Sequence, residues 1–242
     1  MKLRNNTILI TGGTSGIGLA IGRALIKQEN TVILLGRNTT ALAEAESEGF
    51  KTILCDLCNQ EDIENTALFV QNNFPQINML FNNAGIQYNY LFSEGIIPLH
   101  KITQEINTNL SGQILLTQLL IPLLNNQQQS FIINTTSALG AFPKGDGLVY
   151  SASKAAMRNF TIGLRYHLKE STIRVLELIP PVTDTGMTKK RKGKKITTTT
   201  FINHILPQIE KEKTTITVSK IRLFLWIAFL FPTLANKLLS KQ

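Results

Sequence analysis

Residues that bind metals or form disulfides are scarce in this chain. Its 242 residues include two cysteines and three histidines. The cysteines, Cys55 and Cys58, have no histidine nearby, and two thiols are too few for a structural zinc site. The histidines are scattered along the sequence, at His100, His167 and His204. We therefore expect no metal site and two reduced, structural cysteines, which is typical of a cytoplasmic protein.

Acidic residues are also few, with 16 Asp and Glu against 25 Lys and Arg and a net charge of +9. Six of the basic residues fall within residues 189–195, so the rest of the chain has 19 basic and 16 acidic residues. We expect this run to lie in a solvated loop, with an anionic ligand or membrane headgroups as the second interpretation. Nucleic acid is not an expected partner, because no recognition motif accompanies the charge.

The sequence contains no apolar run of the roughly 20 residues that cross a bilayer. Residues 1–5 lead directly into an apolar segment, so we also expect no signal peptide. Residues 223–231 are nine consecutive apolar residues. Because this run is apolar on all sides, we predict that it is mostly buried, more by protein than by lipid, as part of an apolar C-terminal helix over residues 220–240. Attachment to an anionic membrane is the alternative, since Arg222 and Lys237 flank the run.

Short apolar segments alternate with segments of helical length through most of the chain. The apolar segments are residues 7–11, 31–35, 51–55, 77–81 and 131–135, with 216–218 as an edge strand. This alternation predicts one α/β domain over residues 1–242: a Rossmann-type doubly wound parallel sheet of about seven strands with helices on both faces. Ligands of such sheets bind at the carboxyl ends of the strands.

A glycine-rich segment follows the first predicted strand and precedes helically spaced apolar residues. This order of strand, glycine turn and helix is the one that a phosphate-binding loop requires. We expect Gly12 to permit the tight turn, Gly16 to let the backbone approach a pyrophosphate, and Gly18 to let the helix pack close to the sheet. The helix N-terminus would offer unpaired N–H groups to the phosphates.

Tyr150 and Lys154 lie four residues apart on a predicted helix that runs to about Lys169, so their side chains share one face. A free phenol has a pKa of about 10, and a neighbouring ammonium lowers that pKa by favouring the phenolate. Tyr150 can then protonate a carbonyl oxygen, or accept the proton of an alcohol in the reverse direction. Ser137, just after the segment at 131–135, can donate a hydrogen bond to the developing oxyanion.

Together these motifs resemble the short-chain dehydrogenase/reductase family over about residues 6–185. The segment at 178–185 also resembles the DltE-like bacterial branch, although Pro180-Pro181 stands where the family carries Pro-Gly. The resemblance implies a catalytic set of four residues and a larger set that binds the cofactor. The catalytic set is Asn109, Ser137, Tyr150 and Lys154. The cofactor set is Gly12, Thr14, Ser15, Gly16, Ile17, Gly18, Arg37, Asp56, Leu57, Asn83, Ala84, Gly85, Tyr150, Lys154 and Thr185.

Individual roles also follow from the resemblance. Asn109 would hold a water that links Lys154 to bulk solvent, and Lys154 would also reach the nicotinamide ribose. Asp56 would accept from the adenine amino group, with Leu57 contributing its backbone. Residues 186–215 would form a basic substrate lid, and the chain would assemble as a homodimer or homotetramer through the helices around Asn109 and Tyr150.

The end of the second predicted strand indicates which cofactor is used. A carboxylate at this position usually holds a free ribose 2′-OH, whereas an arginine accommodates a 2′-phosphate. The chain has Arg37 there and no acid, so we expect NADP(H) rather than NAD(H).

The expected activity is hydride transfer between NADP(H) and a small-molecule carbonyl or alcohol. Two alternatives are a cofactor-binding protein without turnover and a membrane-surface reductase of a lipophilic substrate. The intact set of Tyr150, Lys154, Ser137 and Asn109 argues against the first alternative. No recognition motif identifies the substrate.

Overall fold

Seven parallel strands form one sheet in a computed structural model that describes residues 2–233. The strands are β1 (Thr7–Thr11), β2 (Thr31–Gly36), β3 (Lys51–Leu54), β4 (Met79–Asn82), β5 (Ser130–Thr135), β6 (Ile173–Ile179) and β7 (Thr215–Thr217). Their order is β3-β2-β1-β4-β5-β6-β7. The predicted α/β fold is confirmed, and the chain order reverses between the neighbouring strands β1 and β4.

Helices cover both faces of the sheet. They are α1 (Gly16–Ile26), α2 (Thr39–Ser47), α3 (Gln60–Asn73), α4 (Leu99–Ile106), α5 (Gly112–Asn125), α6 (Leu148–His167), α7 (Thr198–Glu210) and α8 (Ser219–Leu230). Successive residues of β1 point to opposite faces: Ile8 and Ile10 belong to one apolar cluster, and Leu9 belongs to another. Both faces are therefore buried, which explains why the strands are nearly continuous apolar runs.

The basic segment is only partly a loop. Residues 198–210 form α7, and its side chains Phe201, Ile202, Ile205 and Ile209 are buried in the same cluster as α1. The second half of the predicted lid at 186–215 is therefore largely helical, and Thr197 caps α7 by accepting from the Thr200 backbone N–H. The exposed basic residues lie before α7.

The C-terminal helix begins as predicted but is not mostly buried within the chain. Ala228 is its one buried residue in the described part, and Trp226 and Phe229 are 61% and 80% exposed. Its inner face packs on Phe142, whose ring lies 5.8 Å from that of Phe224. The predicted continuation over 234–240 lies outside the described residues. Within residues 2–233, no helix is long and apolar enough to cross a membrane.

Both cysteines are free thiols, as predicted. Burial raises the pKa of Cys55 to about 11, so this thiol is protonated and unreactive at neutral pH. Cys58 lies with its sulfur 3.2 Å from the Thr108 hydroxyl, between the end of β3 and the helical segment that follows α4. Their environment is consistent with a packing role.

Candidate active site

The loop between β1 and α1 adopts a backbone conformation that favours glycine at two positions. Gly12 and Gly16 have φ angles of +62° and +54°, in the left-handed region. A Cβ on Gly12 would lie 2.8 Å from the Ala84 Cα, and a Cβ on Gly18 would overlap the Gly12 carbonyl oxygen. Gly18 thus allows α1 to approach the loop backbone, whereas the sequence had suggested a close approach to the sheet.

Helix α1 presents its N-terminus to this loop. Within the described chain, the N-cap residue Ser15 makes no side-chain capping bond, and no acidic residue lies in the first turn. The first N–H groups of α1 are therefore available to an anion. Ile17 packs inward against the core, so its contribution to a phosphate site would come from its backbone.

Thr11 joins the loop to the segment after β4. Its hydroxyl accepts from the backbone N–H groups of Asn83 and Ala84, at 2.9 and 3.0 Å, and donates to the Phe81 carbonyl. The Asn83 amide donates in turn to the Thr11 carbonyl oxygen. Sequence reasoning gave Thr11 no role of its own. The signal was available, since a polar residue ends an otherwise apolar buried strand.

Arg37 and Asp56 come together at the ends of β2 and β3. The guanidinium Nη1 lies 3.9 Å from an Asp56 carboxylate oxygen, and the Arg37 side chain is 52% exposed. The Thr14 side chain is directly beside Gly36, whose missing Cβ would lie 2.8 Å from the Thr14 Cγ2. A half-solvated ion pair at this distance is weak, so Asp56 does little to hold Arg37 away from a stronger anion.

Ser137, Tyr150 and Lys154 meet where β5 ends and α6 begins. Tyr150 and Lys154 occupy the first two turns of α6, and both are buried. The Lys154 Nζ donates to the Thr135 carbonyl at 2.8 Å and lies 5.9 Å from the centroid of the Tyr150 ring. Ser137 follows β5, and its hydroxyl accepts from the Leu139 N–H at 3.1 Å. The predicted helix at 150–169 is confirmed as Leu148–His167.

Burial controls the titration of both groups. It raises the pKa of Tyr150 above its ordinary value, against the lowering effects of a hydrogen bond with Ser137 and of the Arg191 charge. Burial also lowers the pKa of Lys154 to about 8. The expected lowering of the Tyr150 pKa by the ammonium is therefore not met in the chain alone. The phenol is protonated at neutral pH and ready to donate.

Asn109 lies in a π-helical segment, Asn107–Ser111, between α4 and α5. Its side chain accepts from the Ile86 N–H at 2.8 Å and donates to the Ile86 carbonyl at 2.9 Å. It also donates to the Ser153 hydroxyl. A Cβ on Gly85 would lie 3.5 Å from both the Asn109 Oδ1 and the Lys154 Nζ. Asn109 thus fixes the backbone next to the lysine, and π-bulges recur at functional sites.

The remaining predicted cofactor residues border the same edge of the sheet. The Thr185 methyl group would lie 3.3 Å from a Cβ on Gly16, so Thr185 faces the glycine loop. Leu57 is buried, and its carbonyl oxygen faces Gly112 at the start of α5. The structure therefore brings the predicted residues to the carboxyl ends of β1 to β6.

Sequence reasoning missed a buried carboxylate near Tyr150. Glu105 accepts from the Tyr88 N–H at 2.9 Å and from the Tyr90 hydroxyl at 2.7 Å, and its charge raises the pKa of Tyr150. It therefore anchors the loop after residue 87. An acidic residue on an amphipathic helix carries no sequence signal for this role.

A family model described as short chain dehydrogenase matches residues 6–195. The uncharacterized oxidoreductase DltE of Bacillus subtilis is 34% identical over 91% of each chain. The NADP-dependent 3-hydroxy acid dehydrogenase YdfG of Shigella flexneri is 33% identical over 72% of this chain and 71% of its own.

Solved structures agree on the fold. A short chain dehydrogenase from Burkholderia cenocepacia in complex with NADP superposes with a TM-score of 0.88, at 22% identity and 99% coverage of both chains. A short chain dehydrogenase/reductase from Burkholderia phymatum in complex with NAD superposes with a TM-score of 0.82, at 19% identity, over 95% of this chain and 96% of its own.

Proposed function

This chain belongs to the short-chain dehydrogenase family, and from that premise we propose that it is an NADP(H)-dependent oxidoreductase that interconverts a carbonyl and an alcohol. The proposal depends chiefly on the placement of Lys154, which lies beside the Tyr150 ring on α6 and flanks Gly85 together with Asn109. A screen of aldehydes, ketones and alcohols against both nicotinamide cofactors tests it. Failure of every compound with either cofactor would contradict it and favour a binding protein without turnover.

The residues at the carboxyl edge fit a dinucleotide. Gly12 and Gly18 let Ala84 and the loop backbone approach more closely than a Cβ would allow, and the N-terminus of α1 opens onto this loop. The loop and α1 would hold the pyrophosphate, Arg37 the 2′-phosphate, and Asp56 with Leu57 the adenine side. NADP(H), when bound, supplies or accepts the hydride.

Tyr150 performs the proton transfer in this proposal. Its phenol is protonated at neutral pH, so it donates to the carbonyl oxygen as negative charge develops there. The Ser137 hydroxyl, which acts to lower the pKa of the phenol, stabilises the same oxygen. With a pKa of about 8, Lys154 is mostly an ammonium at pH 7 and favours the transient phenolate.

Asn109 positions this machinery. Because it holds both backbone groups of Ile86, it fixes the segment beside the Lys154 ammonium. A water between Asn109 and Lys154 would join the two side chains, since the Asn109 Oδ1 and the Lys154 Nζ flank Gly85. Such a water would return a proton to the site after each turnover.

Arg37 should decide the cofactor preference. NADPH should bind about tenfold to a hundredfold more tightly than NADH, because a charge-assisted contact to the 2′-phosphate contributes about 1.5–3 kcal/mol. Arg37→Ala should remove most of this difference, and salt should reduce it in the wild type. Lys27→Ala, the same charge change at the far end of α1, is the control and should leave the preference for NADPH over NADH unchanged. Equal dissociation constants in the wild type, measured by fluorescence titration, would refute the assignment.

The exposed face of α8 should be covered by a second copy of the chain. Trp226 should emit like an exposed tryptophan in dilute protein and shift to the blue as concentration rises, in step with sedimentation, because assembly removes an apolar patch from water. Phe229→Asp should block assembly through α8, whereas Leu99→Asp tests the predicted contact around Asn109. A blue shift that needs anionic vesicles at low salt would instead support membrane attachment.

A further inference from the structure

Arg191 and Lys195 are the two members of the basic run that are not exposed, and Lys195 pairs with Asp184. Lys189, Lys190 and Lys192 are exposed, but Arg191 is half-buried. Its backbone N–H donates to the Thr188 carbonyl at 2.9 Å, and Thr188 is itself buried and donates to the Thr183 carbonyl. The segment after β6 therefore fixes the position of this arginine rather than leaving it in solvent.

The guanidinium of Arg191 reaches across to the opposite wall of the site. Its Nη2 donates to the Gln87 Oε1 at 2.7 Å. The Gln87 amide nitrogen packs beside Gly147, where an added Cβ would lie 2.9 Å away, and Gly147 immediately precedes α6. Arg191 is thus linked through Gln87 to the start of α6, and its positive charge acts to lower the pKa of the Tyr150 phenol.

This charge has no counterion among the described residues. Within residues 2–233, the basic run forms one ion pair, between Lys195 and Asp184, and Arg191 forms none. Glu105, the buried acid near Tyr150, is already held by Tyr88 and Tyr90. A guanidinium carries five N–H donors, and one of them is used by the neutral Gln87 side chain. The remaining N–H groups can donate two parallel hydrogen bonds to a ligand. A half-buried cation of this kind calls for an anionic partner.

We propose that Arg191 binds a carboxylate of the substrate, so that the enzyme acts on oxo acids and the corresponding hydroxy acids. This inference rests on the function proposed above and names its substrate class. The planar fork of arginine matches a carboxylate bidentately, and Gln87 holds the guanidinium at a fixed place relative to the phenol. With its carboxylate held by Arg191, the substrate would be oriented so that its carbonyl oxygen faces the hydroxyl groups of Tyr150 and Ser137.

Binding in the absence of turnover gives the sharpest test. In a Tyr150→Phe background with NADPH bound, short oxo acids and their methyl esters are titrated by quenching of NADPH fluorescence. With Arg191 intact, an acid should bind about tenfold to a hundredfold more tightly than its ester. Arg191→Gln should reduce that ratio to near one, and Arg191→Lys should keep only part of it. Lys192→Gln, the same charge change on an exposed neighbour, should leave it unchanged.

The outcomes separate this inference from the proposed function. If each oxo acid binds no more tightly than its methyl ester, or if neither binds, Arg191 does not bind a substrate carboxylate. So does an unchanged ratio in an Arg191→Gln protein whose melting temperature matches that of the Lys192→Gln control. If wild-type protein still reduces the esters with NADPH, the proposed oxidoreductase function stands while this inference fails.

Discussion

Tyr150→Phe is expected to lower carbonyl reduction about 10²–10⁴-fold while leaving NADPH binding nearly unchanged. The substitution removes only the phenolic hydroxyl, which is the proton donor in the proposed reaction. The ring remains in place at the start of α6, where it is buried, so the fold has no reason to change. Single-turnover kinetics with saturating NADPH measures the chemical step, and fluorescence titration measures cofactor affinity.

Two further variants make the result specific. Tyr166→Phe removes a hydroxyl from the same helix at a residue that is 73% exposed, and it should behave as the wild type. Lys154→Ala should reduce both turnover and cofactor affinity, because the ammonium acts on the phenol and is expected to reach the nicotinamide ribose. Wild-type rates from Tyr150→Phe would contradict the proposed mechanism, whatever the binding data show.

Much of this site could be predicted because its residues follow strand ends. A parallel sheet brings the carboxyl ends of its strands to one edge, so residues that are distant in sequence, such as Thr14, Asp56 and Ser137, converge there. The spacing of Tyr150 and Lys154 fixed a shared helix face without any tertiary information. Local geometry and topology were sufficient for these positions.

Contacts between elements could not be predicted in the same way. The Tyr150 pKa depends on burial and on the charges of Glu105 and Arg191, which come from a different helix and from the segment after β6. Asn109 was expected in a regular helix, but the π-helical turn that aims its amide at Ile86 has no local sequence signature. The exposure of Trp226 likewise depends on what α8 packs against, rather than on its own composition.

Gly112 is another residue whose role depends on a contact between elements, and no sequence motif predicts that glycine is required there. It begins α5 immediately after the π-helical segment, and a Cβ there would overlap the Leu57 carbonyl oxygen and lie 2.9 Å from the Leu57 Cβ. Backbone, unlike the end of a flexible side chain, cannot move aside without displacing its neighbours. A shift of this backbone would displace Asp56, which precedes Leu57 at the expected adenine site. It would also displace the π-helical turn that carries Asn109.

Gly112→Ala should therefore destabilise the fold by about 3 kcal/mol, the upper part of the usual range for overpacking. For a chain of this size, that corresponds to a fall of about 6–12 °C in melting temperature. NADPH affinity should fall as well, because the Leu57 backbone must shift.

Gly163→Ala is the matched control for this prediction. Gly163 lies in the interior of α6 and is exposed, and an added Cβ there would meet no described atom within 4 Å beyond its chain neighbours and the adjacent backbone of α6. The same methyl group should stabilise the protein there by about 0.5–1 kcal/mol, because alanine favours the helix over glycine. Calorimetry on the two variants compares one added methyl group in two helices, with opposite expected signs. A Gly112→Ala protein as stable as Gly163→Ala would show that α5 does not press on Leu57 in the segment after β3, and the placement of Asn109 would then need revision.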